Sequence, residues 1–244
     1  NSGVASIYDY LERRFGLTSR TVMSGIFLFS NAAYSGIMLY TTALVLEFIT
    51  GIDVVPAIVI IAVLALIYTM LGGIAAVIWT DVIQSVVLFL GAFIVVFLVV
   101  DQLPETLHGS LIELKSQGKT DPFNYSLDPS KVATIWTGVV AMSIYHVVVY
   151  GVNQMMVQRT LAARTIGDAK KAYLLMGYMA FFVFVLFFGM GVLFYSFYGG
   201  REFENGNLII LEFVATVGFP GLMGLVTAAI VAAGMSSLDS SLNS

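Results

Sequence analysis

Six stretches of this chain, roughly residues 21–49, 54–73, 76–100, 131–157, 172–198 and 221–244, are apolar over the length of about 20 residues that a helix needs to cross a bilayer. In hydrocarbon a spanning segment must satisfy its own backbone N–H and C=O groups, and an α-helix does so without help. The pattern predicts an all-α integral membrane protein with six transmembrane helices. Composition agrees: 59% of the 244 residues are apolar and 11% are charged, against about 25% charged in soluble domains. A water-soluble fold cannot hide that much apolar surface. Two connectors, residues 1–20 and 101–130, are too polar to span. Residues 208–217 are apolar but too short, and Gly218-Phe219-Pro220-Gly221 breaks them from the last span, which predicts a short interfacial helix.

The remaining chemistry excludes several classes. There is no cysteine, so disulfides, zinc-thiolate sites and thiol catalysis are out. With His108 and His146 as the only histidines, a histidine-built metal site is not expected. The net charge of −4 is dispersed, with no basic stripe for nucleic acid. No nucleophile–base pair or phosphate-cradling loop is visible, so no enzyme is expected. The chain does not begin with Met and reads as part of a longer protein.

Basic residues set the orientation. One side receives Arg13, Arg14, Arg20, Arg159, Arg164, Lys170 and Lys171; the other receives Lys115, Lys119, Lys131 and Arg201. This places residues 1–20, 74–80 and 158–171 in the cytoplasm and loop 101–130, with Pro104, Pro122, Pro129 and an Asn124-Tyr125-Ser126 sequon, outside. The expected location is the cell membrane, plasma or inner, as a multi-pass protein embedded in the lipid bilayer. Residues 7–15 place Ile7, Leu11 and Phe15 on one stripe, the pattern of an amphipathic interfacial helix.

The last span carries the polar residues that matter most. Ala233, Ser236, Ser237, Asp239, Ser240, Ser241, Asn243 and Ser244 fall within an arc of roughly 200° on a helix, and Met235, Leu238 and Leu242 take the other side. Membrane serines often only bond back to the carbonyl one turn earlier or let helices pack closely. That accounts for two or three of them and poorly for Asp239, because a carboxylate in hydrocarbon is a functional-site candidate by default. Short oxygen side chains with a negative charge suit a small hard cation such as Na⁺.

Asp81 opens the third span in Trp79-Thr80-Asp81-Val82-Ile83-Gln84. It reads either as a helix-start carboxylate facing the dipole and headgroup water or as a cation relay near the inner mouth, with Thr80 and Gln84 adding oxygens. The fourth span carries Tyr145, His146 and Tyr150 and ends in Asn153-Gln154, with Gln158 and Arg159 following. A lone buried His is ordinarily a satisfied core residue; the functional reading makes His146, Tyr150, Asn153 and Gln154 candidate solute contacts. The first span carries Ser24, Ser30, Asn31, Tyr34, Ser35, Tyr40, Thr41 and Thr42, polarity that suits either a cavity or close helix packing.

With these residues in view, Gly72-Gly73-Ile74-Ala75-Ala76-Val77-Ile78-Trp79-Thr80-Asp81-Val82-Ile83-Gln84 resembles the signature stretch of the sodium/solute symporter family, which includes sodium/glucose, sodium/proline and sodium/sialic acid cotransporters. Asn153-Gln154 through Gln158-Arg159-Thr160-Leu161-Ala162-Ala163, Ala232 through Ser240, and Tyr10-Leu11-Glu12-Arg13-Arg14-Phe15-Gly16 resemble further family stretches in family order. The resemblance implies a leucine-transporter-like inverted repeat of five plus five helices, here incomplete, holding core helices three to eight. It implies Na⁺ as coupling ion, with a main site at the Ala233 carbonyl and the Ser236 and Ser237 hydroxyls, and a second site at Asp81, Asp239 and Ser240. At the position of Asp239 the resemblance leads one to expect Ser or Thr. A sugar-type site is poorly matched, because Val149 stands where the sugar members carry a gating tyrosine and Met179-Ala180-Phe181 where they carry a lysine. A carboxylate-bearing or other small organic solute is expected as partner.

The function expected is sodium-coupled symport of a small organic solute by alternating access. The alternative is a membrane sensory input domain of a signalling protein built on the same fold. An ion-translocating subunit is disfavoured because lysine is absent from every span interior, and a channel because there is no pore loop.

Overall fold

The computed structural model describes residues 6–119, 123–128, 130–161 and 163–242, with the backbone alone at residue 68 and residues 72–76. Expectations that rest on Pro122, Pro129, Ala162, Asn243 and Ser244 lie outside the described residues. All regular structure among the described residues is helical: α1 (Ile7–Phe15), α2 (Leu17–Thr50), α3 (Val54–Asp101), α4 (Leu107–Ser116), α5 (Met142–Val152), α6 (Gln154–Leu161), α7 (Ile166–Phe197), α8 (Ile209–Val217) and α9 (Leu222–Leu242). A π-helical turn, Thr137–Ala141, leads into α5, and a 3₁₀ turn, Gly206–Leu208, leads into α8.

Among the described residues, five helical stretches are long and apolar enough to cross a membrane: Leu17–Thr50, Val54–Leu71, Val77–Asp101, Ile166–Phe197 and Leu222–Leu242. Thr137–Val152 and Gln154–Leu161, bent by 54° at Asn153, make a sixth when counted as one broken span. The chain is a multi-pass membrane protein. The second and third of these stretches belong to one helix of 48 residues. At 1.5 Å per residue it is about 70 Å long, more than twice the hydrocarbon thickness. The sequence predicted a helix end at Gly72-Gly73; helical backbone instead continues through both, which costs about 1 kcal/mol per glycine but is not forbidden.

The chain divides into two compact units. The first comprises residues 1–24 and Leu103–Phe197. Its α1 matches the predicted amphipathic stretch residue for residue. Ser6 caps it, its hydroxyl accepting from the Asp9 N–H at 3.2 Å, and Arg13 and Arg14 sit in its last turn where the dipole favours cations. Arg20 donates to Glu12 Oε2 at 2.5 Å and lies 3.9 Å from Asp9, an exposed pairing of modest value. Within loop 101–130 the structure adds α4, which the sequence left as a connector. Thr106 caps it and Leu107, Leu111 and Leu114 recur at helical spacing, with Leu114 buried. Further along, the backbone N–H and the hydroxyl of Ser130 both donate to Asp128 Oδ1, holding that carboxyl below its ordinary range.

The second unit comprises Gly25–Gln102 and Tyr198–Ser244. Here α9 packs chiefly along α3, with α8 against its start. Small and branched residues of α2 and α3 pack together nearby: Ala43, Ala57 and Ile61 form a buried cluster that Leu39, Leu46, Val54, Ile58 and, from α9, Met235 cover. Gly91 faces Ala229 so closely that an added Cβ would lie 3.1 Å from it. A Cβ at Gly234 would collide with the buried Thr42 side chain. Without a hydrophobic force between helices in lipid, such close approach supplies the packing energy. In α8, Leu211 and Phe213 are fully buried, so the short apolar helix foreseen over 208–217 is anchored by protein packing.

Candidate functional site

On α9 the polar arc is divided among neighbours. Ser236 Oγ donates to Asp81 Oδ1 of α3 at 2.5 Å. Asp239 is fully buried, and Thr69 Oγ1, also of α3, donates to its Oδ1 at 3.2 Å. Toward the other edge, Asn31 Nδ2 of α2 donates to the Ser241 carbonyl at 3.0 Å, and the Ser35 and Ser241 hydroxyls share a hydrogen bond of 2.5 Å. With steps of about 100° per residue, Ser236 and Asp239 lie on the α3 edge of the arc and Gly234 and Ser241 on the α2 edge. Ala233, Ser237 and Ser240 lie between the two edges. Ser237 Oγ donates to the Ala233 carbonyl at 3.1 Å and Ser240 Oγ to the Ser236 carbonyl at 2.8 Å. Asn243 and Ser244, the other members of the arc, lie outside the described residues.

Both carboxylates are therefore bonded across one helix pair, each to a different hydroxyl. Thr80 bonds back to Val77 and Ser85 to the Asp81 carbonyl. Gln84 Oε1, one turn along α3 from Asp81, is shielded from solvent and accepts no hydrogen bond from the described residues. An oxygen without a donor is costly to bury and is the kind of group a cation satisfies. The electrostatics point the same way. Arg201 is the sole Lys, Arg or His in Gly25–Gln102 and Tyr198–Ser244. It is exposed and stacks over the Phe203 ring at 4.9 Å, in the connector outside the apolar helices. A carboxylate at the centre of a membrane helix costs about 3 kcal/mol, and one hydroxyl donor returns about 1 kcal/mol. No Lys, Arg or His thus stands in this unit's part of the apolar helices, which carry Asp81 and Asp239. Hydroxyls, carbonyls and carboxylates at close spacing make a hard oxygen set, the preference of Na⁺ rather than of softer metals. Among the described residues no three His, Asp or Glu side chains gather as they would for a transition metal.

The candidate solute residues sit in the first unit, around the break at Asn153. His146, read from sequence as buried, is exposed; its Nδ1–H donates to the Met142 carbonyl at 2.6 Å, and its ring contacts Tyr145 and Tyr150. Tyr150 packs edge-on against Tyr173, whose hydroxyl donates to the Tyr150 carbonyl at 3.2 Å and pairs with Thr160 Oγ1 at 2.6 Å. Asn153 is extended (φ −71°, ψ 126°) and its Oδ1 accepts from the Met155 N–H at 3.0 Å, capping α6. Gln154 is buried, and its Oε1 accepts from the Ile7 N–H of α1 at 3.3 Å. Beside them a cavity of about 180 Å³ is lined by Met156, Arg159, Thr160, Tyr173 and Met176. The structure brings Asp81 to Ser236, whereas Asn153 and Gln154 hold backbone groups.

Thr69 was missed in the sequence. It is one hydroxyl in the run Val54–Leu71, and only its pairing with Asp239 distinguishes it from a back-bonding threonine.

Comparison with known proteins completes the description. The model of the "Sodium:solute symporter family" matches residues 1–244. Human sodium-coupled monocarboxylate transporter 2 is 30% identical over 99% of this chain and 40% of its own length. A sodium/sialic acid symporter of Proteus mirabilis is 32% identical over 99% of this chain and 50% of its own. The solved substrate-bound outward-open state of a Na⁺-coupled sialic acid symporter superposes with a TM-score of 0.85 at 30% identity, covering 98% of this chain and 52% of that one. The chain spans about half the length of these relatives or less. The all-α membrane fold, leucine-transporter-like over the matched part, is the one the resemblance implied.

Proposed function

The chain belongs to the sodium:solute symporter family, and from that footing we propose that it serves sodium-coupled symport of a small organic solute. The carrying observation is the bond between Ser236 and Asp81 across two membrane helices whose unit holds no basic side chain at that depth. The main Na⁺ would be held by the Ala233 carbonyl with the Ser236 and Ser237 hydroxyls. Ser237 already bonds to the Ala233 carbonyl, so turning its hydroxyl proton outward presents two oxygens side by side to an ion. A second cation would use Asp81, Ser240 and Asp239, with Gln84 Oε1 as a further oxygen.

Coupling then follows from linkage. Na⁺ entering from outside stabilises the state whose helices close these oxygens around it, and solute affinity rises by the same factor. One positive charge moving inward through 100 mV contributes about 2.3 kcal/mol. In the expected orientation residues 1–20 and 158–171 are cytoplasmic and the protein sits in the cell membrane. The relatives transport a monocarboxylate and a sialic acid by their names, which supports a carboxylate-bearing solute. His146, Tyr150, Asn153 and Gln154 are the residues proposed nearest to it. The test is uptake by the full-length protein in proteoliposomes of a panel of monocarboxylates, sialic acid and sugars. Accumulation of a carboxylate under an inward Na⁺ gradient, lost in choline, is expected; equal accumulation in choline would overturn the proposal.

A further inference from the structure

Where α6 gives way to α7, an apolar cavity and a group of basic residues lie side by side, and symport uses neither. We propose that together they bind an anionic phospholipid, its phosphate among Arg159, Arg164 and Lys170 and part of one acyl chain in the cavity. None of these residues belongs to the α3–α9 seam, and the site serves whatever ion or solute the protein carries.

The cavity follows from residue size. Met156, Thr160 and Ala163 line it at helical spacing from one side, and Ala169, Ala172 and Met176 at helical spacing from the other. Three of these six are alanines, too short to close the gap, so about 180 Å³ stays open. The two methionines are unbranched and adapt to what enters. The hydroxyls in the wall have no proton to give a polar ligand. Tyr173 donates to the Tyr150 carbonyl at 3.2 Å, and Thr160 has the Met156 carbonyl at 2.7 Å and the Tyr173 oxygen at 2.6 Å for its one proton. Hydrocarbon suits such a space.

The rim has the opposite character. Residues 158–171 hold Arg159, Arg164, Lys170 and Lys171 against one acid, Asp168. Asp168 is engaged by Thr165, whose hydroxyl donates to its Oδ2 at 2.8 Å and accepts from its N–H at 3.1 Å. Arg159 lines the cavity itself, and Arg164 and Lys170 adjoin the lining residues Ala163 and Ala169. All three cations are exposed. The stretch lies between the end of the broken span at Leu161 and the start of the next at Ile166, which is headgroup depth. A basic pocket between membrane helices at that depth attracts lipid phosphates, and each Lys or Arg adds to the attraction. A small carboxylate needs one cation and no hydrocarbon slot. A zwitterionic lipid fills the slot and leaves the positive charge unmatched.

The test titrates purified full-length protein with phosphatidylglycerol and with phosphatidylcholine of the same acyl chains, counting bound lipid by native mass spectrometry. A phosphatidylglycerol with a photoactivatable acyl chain maps the contact. The wild type should hold phosphatidylglycerol in preference to phosphatidylcholine and cross-link within residues 156–176. Arg164→Gln with Lys170→Gln should weaken phosphatidylglycerol binding about 30-fold, for two charges lost at headgroup level, and leave phosphatidylcholine unchanged. Ala172→Leu should fill the cavity and abolish the cross-link. All three positions are exposed, so both variants are expected to fold. Equal binding of the two lipids, wild-type phosphatidylglycerol affinity in the double variant, or a cross-link that survives Ala172→Leu would each overturn the proposal. So would the absence of any cross-link in the wild type, which means that another part of the chain or the solute occupies the cavity.

Discussion

The α3–α9 seam and the break at Asn153 use the same kinds of polar residue for opposite ends. In the seam, side chains bond to side chains on another helix: Ser236 to Asp81 and Thr69 to Asp239. At the break, side chains serve backbone: Asn153 caps α6, Gln154 receives the Ile7 N–H, and His146 bonds to the Met142 carbonyl. A backbone-serving group is already satisfied and must be released before it meets a ligand. A carboxylate that accepts from a neutral hydroxyl keeps its charge and can still attract a cation. That difference supports the proposed ion site in the seam.

The largest effect of a single substitution should come from Asp81→Asn. Removing the charge while keeping the shape should lower the apparent Na⁺ affinity of uptake about 100-fold, the equivalent of about 2–3 kcal/mol for a charge-assisted contact. A Na⁺ activation curve for uptake by the full-length protein checks this, and an unchanged curve would remove Asp81 from the site. Next, Gly234→Leu should force α9 from Thr42, costing about 1–3 kcal/mol by overpacking and lowering the melting temperature in detergent.

Much of this seam was legible in the sequence and some was not. The arc on α9 and the position of Asp81 are visible because charge and hydroxyls stand out in apolar runs. Likewise α1 was visible from its stripe, and the stop before α9 from Gly218-Phe219-Pro220-Gly221. Thr69 was not, because a single threonine in a membrane helix usually bonds to its own backbone and periodicity cannot show a cross-helix partner. The use of Gln154 was equally hidden: its partner Ile7 lies 147 residues away and offers a backbone group that every residue has.

Smaller changes sharpen the contrast. Gln154→Ala should loosen α1 by about 1 kcal/mol, so amides of Ile7–Phe15 exchange about fivefold faster while Na⁺ affinity stays unchanged. An equal loss of Na⁺ affinity would erase the distinction between seam and break. The smallest effect is in the connector 101–130. Ser130→Ala removes one donor to Asp128, so its carboxyl should titrate closer to the ordinary carboxylate value. Because the folded value is depressed, the stability this contact contributes is present above the ordinary value and lost as pH falls through the folded one. NMR titration of the Asp128 side chain follows it, with Na⁺ binding unaffected.

The central claim is that oxygens of α9 take the place of water around Na⁺. Displacement of ²²Na⁺ from the purified full-length protein, wild type against the Ser236→Ala/Ser237→Ala pair, addresses it with no need to know the solute. The double variant should lose about 100-fold or more in affinity while Gln154→Ala binds like wild type. Wild-type affinity in the double variant would contradict the account.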